Sequence, residues 1–305
     1  MEAIANPEAT NVPKLSIVVA VVDPWPEIRT CLESLVSQSS DNSVEILVAD
    51  GGGQALPEGQ APSCVRWLRK TGGSIFQMRA LGLAEARGDI VAFTEDHCRV
   101  APDWCRTLLD LHHLYPDAGA IGGAVENGAD SRIQDCVHFL IANGPFMRPN
   151  EQGAGPTLTG QANVSFKKKV LTSELPEAGV HQMELNRELL NRGIELRMDD
   201  RLVVWHIQSL GLAGTCRMHF HTGRCIAGFR LPRLSSWDRV LRIGSCAILP
   251  VFLAVRTART VLRKKRCRLS LAVGLPFFVL FVSCHAAGEL AGYIRGPGNS
   301  PQMAR

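Results

Sequence analysis

Residues 91–104, VAFTEDHCRVAPDW, set an apolar run against Glu95, Asp96, His97 and Cys98, with Pro102 and Trp104 opening the next periodic stretch. Two acids, an imidazole and a thiol at the end of a buried strand suggest three kinds of chemistry. A zinc site would draw on His97, Cys98 and Cys105, but that spacing fits no common tetrahedral set and a fourth ligand is missing. A Cys–His nucleophile would need His97 to activate Cys98, yet adjacent residues on an extended chain point to opposite sides. The third is a divalent cation held by carboxylate and completed by a substrate diphosphate, for which hard oxygen ligands suit Mg²⁺ or Mn²⁺. In open α/β sheets ligands bind beyond the carboxyl ends of strands, where Asp96 falls. Asp50 closes another such strand, after VEILVA. Either acid alone reads as a solvated loop carboxylate; two acids at two strand ends favour the cation site.

The elements that must position these residues follow from periodicity. LSIVVAVV (15–22) is a continuous β-branched run, as in a strand covered on both faces. Ile28, Leu32, Leu35 and Val36 fall on one helical stripe within 26–38, and VEILVA (44–49) is a second buried strand. CVRWL (64–68) predicts a short strand, 74–87 a helix, 89–94 a strand and 102–115 a helix. Such alternation predicts a doubly wound, mostly parallel α/β sheet. Beyond 117, AGAIGGAV reads as a strand, 144–161 as a Gly/Pro-rich functional loop, 183–193 as a helix stopped by Gly193, and RLVVWHI (201–207) as a strand. Residues 1–13 are polar, hold two prolines and are expected to be flexible.

At 305 residues the chain suits one large domain, or one domain with an appendage. Its ten cysteines are scattered, as expected of buried thiols in a reducing compartment. The amino terminus lacks the pattern of a signal peptide, which places the functional part in the cytosol. The last quarter interleaves arginines with long apolar runs, which argues for an anionic membrane surface and against nucleic acid. Residues 269–294 carry no charge before Glu289 and are long enough to span a bilayer. Arg256, Arg259 and Arg263 share one helical face, so 240–262 is predicted to lie on the membrane with its basic residues toward lipid headgroups. A buried helical hairpin is the alternative.

The order of three segments carries a resemblance. SIVVAVVD, EILVADGGG and MRALGLAEARGDIVAFTEDH resemble the nucleotide-sugar half of a family 2 glycosyltransferase with the GT-A fold. GQANVSFKKKVL (160–171) is similar to that family's acceptor-side segment, VVWH (203–206) to its strand ending in histidine, and RMHFHTGRCIAGFR (217–230) to the segment before the membrane region. The resemblance implies that Asp50 meets the nucleobase or ribose, that Arg79 serves the nucleotide side, and that Asn163 lies on the acceptor side. It also implies Asp96 as the metal carboxylate, with Glu95 beside it and His206 as a further metal or diphosphate contact. Arg217 and Arg224 would assist in neutralising the diphosphate. The family's acidic pair at a helix start falls here on His181 and Gln182, so the base is Glu184, His181 or absent.

The expected molecule has a flexible 1–13, a GT-A domain over 14–232 (14–115 for nucleotide sugar, 116–232 for acceptor) and a membrane-associated helical region over 233–305. Its expected activity is metal-dependent, inverting transfer of a sugar from a nucleotide-diphosphate sugar to a lipid-linked or saccharide acceptor at the cytosolic face of the cytoplasmic membrane. Its partners would be that donor, that acceptor and membrane lipids. A non-catalytic GT-A protein binding nucleotide sugar or a partner enzyme is the alternative, and a soluble nucleotidyltransferase is disfavoured by the apolar tail.

Overall fold

The computed structural model describes residues 12–21, 28–39, 43–52, 64–129, 132–155, 158, 162–172 and 177–303. Nearly all of the segment expected to be flexible, 1–13, therefore lies outside the described residues. The first half runs β1 (Leu15–Val21), α1 (Arg29–Val36), β2 (Val44–Asp50), β3 (Val65–Arg69), α2 (Ile75–Glu85), β4 (Ile90–Glu95), β5 (Cys98–Val100) and α3 (Trp104–Leu114). The second half runs β6 (Ala118–Asn127), α4 (Ile133–Ala142), β7 (Gly153–Ala154), β8 (Val164–Lys167), α5 (Gln182–Asn191), β9 (Glu195–His206) and α6 (Gly211–Arg230). Then come α7 (Ser236–Ser245), α8 (Leu249–Lys264), α9 (Arg268–Val273), α10 (Leu275–Arg295) and α11 (Ser300–Met303).

The strands form one mixed sheet in the order β3-β2-β1-β4-β8-β6-β9-β5, with β7 also on β9. β3, β2, β1 and β4 are parallel, β8 enters antiparallel between β4 and β6, and β9 runs parallel to β6. All seven residues of β1 are buried between β2 and β4, which explains its unbroken apolar run. α2 starts where Ser74 and Gln77 form a reciprocal capping box. α3 delivers Trp104, fully buried, whose Nε1 donates to Asn163 Oδ1 at 2.9 Å across the sheet.

Several predicted boundaries change. β5 and α4 were not expected: β5 has only three residues, and α4 is a short apolar helix whose buried face holds Val137, His138 and Ile141. β9 begins six residues before the predicted strand. The single helix expected over 240–262 is two helices, α7 and α8, bent by 67° at residues 246–248, with Pro250 in the first turn of α8. The apolar run 269–294 divides at Gly274 into α9 and α10. The basic cluster does not all face outward as expected. Arg263 pairs with Glu151, Lys264 donates to the carbonyls of Met147 and Pro149, and Arg266 grips Glu126, all on the sheet-bearing part.

Candidate active site

β4 ends at Glu95, Asp96 and His97 make a tight turn, and the chain returns as β5. β5 pairs antiparallel with the end of β9, setting Cys98 opposite His206, and Ile207 N donates to His97 O at 2.9 Å. That pairing brings residues 109 positions apart together, with the His97 and His206 rings 4.6 Å apart. One ligand atom from each of Glu95, His97 and His206 lies within 4.8 Å of the others.

Two imidazoles and a carboxylate suit a divalent transition metal better than oxygen ligands alone would. The hydrogen bonding fits that use. His97 Nδ1 lies 2.7 Å from Asp96 Oδ1, so the carboxylate holds the ring by one nitrogen and leaves Nε2 toward Glu95 Oε2, 3.4 Å away. This carboxylate–imidazole arrangement is how metal-binding histidines are usually oriented. Burial alone would lower His97, but Asp96 and Glu95 on either side raise it to about 10. Burial would likewise raise Glu95, yet His97, Arg79 and His206 hold it near 2. His206 lies well below its ordinary value through burial, then through the charge of His97, and is a neutral donor. Arg79 on α2, buried and lowered by that burial to about 10, reaches Glu95 Oε1 at 3.6 Å.

The other predicted residues separate into groups. Asp96 is buried at the strand end, but its carboxylate orients His97 and is not in the converging set; Glu95 and His206 are. His97, read from sequence only as a zinc ligand or a cysteine activator, joins the set because the two-residue turn after β4 brings it back beside Glu95. Asp50 is buried at the end of β2, where it accepts from Gly52 N at 2.8 Å. Asn163 is fully buried and holds Trp104 Nε1 and the carbonyls of Ala124 and Leu202, so its amide is spent on the sheet. Arg217 is exposed on α6, and Arg224 donates to Gly296 O at 3.0 Å, so neither is gathered with Glu95.

The two base candidates differ in place. His181 precedes α5 with its ring against Phe76 and Phe229, at 5.3 and 4.5 Å between centroids, and Phe76 also lies beneath Arg79. Burial, then the charges of Arg79 and Arg230, lower His181 to about 4, and its buried Nδ1 has no hydrogen-bond partner among the described residues. Glu184, one turn on, is bound by Arg187 and Arg233. His181 is thus joined to the Arg79–Glu95 line; Glu184 is taken up by arginines outside it. Cys98 and Cys105 are buried in the hydrophobic core, and their thiols are not among the converging ligand atoms.

The sheet is mostly parallel, with acids at its carboxyl edge and a histidine returned to them on a later strand. The chain's family follows from the comparisons. The profile of Glycosyl transferase family 2 matches residues 16–168, half of the chain, and the chain belongs to that family. Among curated proteins it is similar to one named "Putative glycosyltransferase EpsH" of Bacillus subtilis (strain 168), 32% identical over 102 residues, covering 32% of this chain and 30% of that one. It is also similar to a glucosyl-dolichyl phosphate glucuronosyltransferase of Haloferax volcanii, 28% identical over 173 residues, covering 52% of this chain and 53% of the relative. The chain therefore spans 30% and 53% of the length of these two relatives. Among solved structures, the mannosyltransferase PcManGT of Pyrobaculum calidifontis, in complex with GDP-Man and Mn²⁺, superposes with a TM-score of 0.53 at 16% identity, covering 94% of this chain and 88% of that one. At that identity the likeness establishes the GT-A-like fold.

Proposed function

We propose that the protein transfers a sugar from a nucleotide-diphosphate sugar, with inversion, to a lipid-linked or saccharide acceptor at the cytosolic membrane face. The observation that carries this is the convergence of Glu95, His97 and His206 beyond the carboxyl edge of the sheet. Asp50 stands on the same edge, where a nucleotide would lie. Glu95, His97 and His206 would hold a divalent cation, Mn²⁺ or Mg²⁺, which when bound would neutralise charge on the departing diphosphate. Asp96 fixes the ring of His97, and Arg79 adds a buried positive charge on the donor side. Asp50 receives the nucleoside. The mannosyltransferase relative was solved with GDP-Man and Mn²⁺, and the haloarchaeal relative is named for a dolichyl phosphate acceptor; both support these kinds of donor and acceptor.

Transfer needs a proton acceptor beside the attacking hydroxyl, on the face opposite the diphosphate. His181 is the better placed of the two candidates. It is neutral, its Nδ1 is free, and it lies against the Phe76–Arg79 contact, whereas Glu184 is held by two arginines. The absence of an acid at 181–182 also favours a second reading, a nucleotide-sugar-binding member without transfer activity.

Isothermal titration with a panel of nucleoside diphosphates, in Mn²⁺ and in chelator, tests the donor site. We expect one nucleobase to bind, and to bind only with metal. Equal affinity in chelator would refute the metal reading; metal-dependent binding without transfer to any acceptor would favour the non-catalytic one.

A further inference from the structure

α10 has the length and hydropathy of a membrane span, about 31 Å over its 21 residues. Its packing says otherwise. It runs parallel to α6 with the backbones almost touching. A Cβ on Gly223 would fall 2.2 Å from His285 O, one on Gly288 2.0 Å from Phe220 O, and one on Gly292 2.7 Å from Arg224 O. α6 cannot follow α10 into hydrocarbon. It carries Arg217, Arg224 and Arg230 and starts five residues after His206. Its Cys225 lies in a core cluster with Ala20, Ala49 and Met78 of the sheet and α2, and its Phe229 packs edge-on to Phe76 at 4.9 Å. A bilayer-spanning α10 would take this part of the donor domain with it. Polar groups meet across the helix pair as well, where Arg230 reaches Glu289 Oε2 at 3.3 Å.

What remains open is one outer stripe of α10, at Leu275, Val279 and Leu280, continued by apolar residues of α7, α8 and α9. Trp237 and Leu241 on α7, Phe252 and Val255 on α8, and Leu269 on α9 are exposed, Leu269 to 76%. Four exposed cations, Arg242, Arg259 and Arg268 on these helices and Lys265 in the α8–α9 link, are interleaved with these apolar residues. Apolar side chains fringed by arginine and lysine complement an anionic bilayer surface.

We propose that α7–α10 form an in-plane platform that enters one leaflet of an anionic bilayer and does not cross it, which rests on the membrane attachment proposed above. The platform lies close behind the ligand set. α4 packs Val137 and Ile141 against Leu253, Phe278 and Phe281, and sets His138 with its ring 5.9 Å from that of His206. The platform and α4, two helix layers or roughly 20 Å, thus separate lipid from the cation site, within reach of an acceptor embedded in the same leaflet.

Two measurements on the full chain test this. Flotation with phosphatidylcholine vesicles, with and without phosphatidylglycerol, should show binding that needs the anionic lipid. Binding should weaken about fivefold for each of Arg242, Arg259 and Arg268 changed to Gln. Separately, tags at the two ends, probed by protease on sealed membrane vesicles from expressing cells, should be cut from the same side. Ends on opposite sides would overturn the in-plane arrangement while leaving membrane attachment standing. No flotation with either lipid would overturn attachment itself. Neither readout depends on sugar transfer, so failure of the enzymatic reading leaves both interpretable.

Discussion

If Glu95, His97 and His206 are the direct ligands and Asp96 acts only through His97, substitutions should rank in a definite order. Asp96→Asn keeps an oxygen that can accept from His97 Nδ1 but removes the charge from a buried 2.7 Å contact. Second-sphere partners of this kind cost about 10- to 100-fold in metal affinity, or about 1.4–2.7 kcal/mol. Asp96→Asn belongs at the lower end, and Asp96→Ala, which frees the ring altogether, at the upper. Glu95→Gln, His97→Ala and His206→Ala each remove one of three protein donors and should exceed about 100-fold. Electron paramagnetic resonance measures this directly, because free Mn²⁺ gives a sharp signal that binding broadens away. Circular dichroism on each variant separates lost metal from lost fold. The opposite order, in which Asp96→Asn abolishes Mn²⁺ binding and Glu95→Gln leaves it intact, would return Asp96 to the metal and refute the geometry-based assignment.

Three further outcomes are expected. His181→Ala should abolish transfer while sparing nucleotide binding, and Glu184→Gln should retain most activity; the reverse result in a transfer assay would restore Glu184 as the base. Burial would raise Glu126, but hydrogen bonds from Arg266 and Arg148 hold it below the ordinary carboxylate value. The stability it contributes is therefore complete above its unfolded value near 4.3 and lost as pH falls through the depressed one. Arg266→Gln, at a half-exposed pair, should cost about 1–2 kcal/mol at neutral pH and almost nothing near pH 2; urea melts giving equal losses at both would contradict this. Deleting 237–305 should yield an aggregating remainder, because it strips the cover from Gly223, Ala227 and Val137; a monodisperse, helical 1–236 in gel filtration would show that α10 is dispensable to the domain.

What could be read from the chain alone was whatever depends on local pattern. β1, β2 and β4 were legible because a strand buried on both faces needs a nearly uninterrupted apolar run. The strand-end acids Asp50, Glu95 and Asp96 followed from the same pattern. Tertiary structure decided the rest. β5, three residues long, has no periodicity of its own and exists because β9 pairs with it, and that pairing delivers His206 to His97. Which of three consecutive residues at the end of β4 faces the cleft turns on a two-residue turn, so Glu95 and His97 join the converging set and Asp96 does not. Asn163 looked like an acceptor contact until the fold spent its amide on Trp104 and two carbonyls. The apolar run at 275–295 has the composition of a membrane span, since hydropathy counts side chains and cannot see a neighbour. Only the packing of α6 against its glycines supplies that neighbour, and with it the reason the helix lies against the domain.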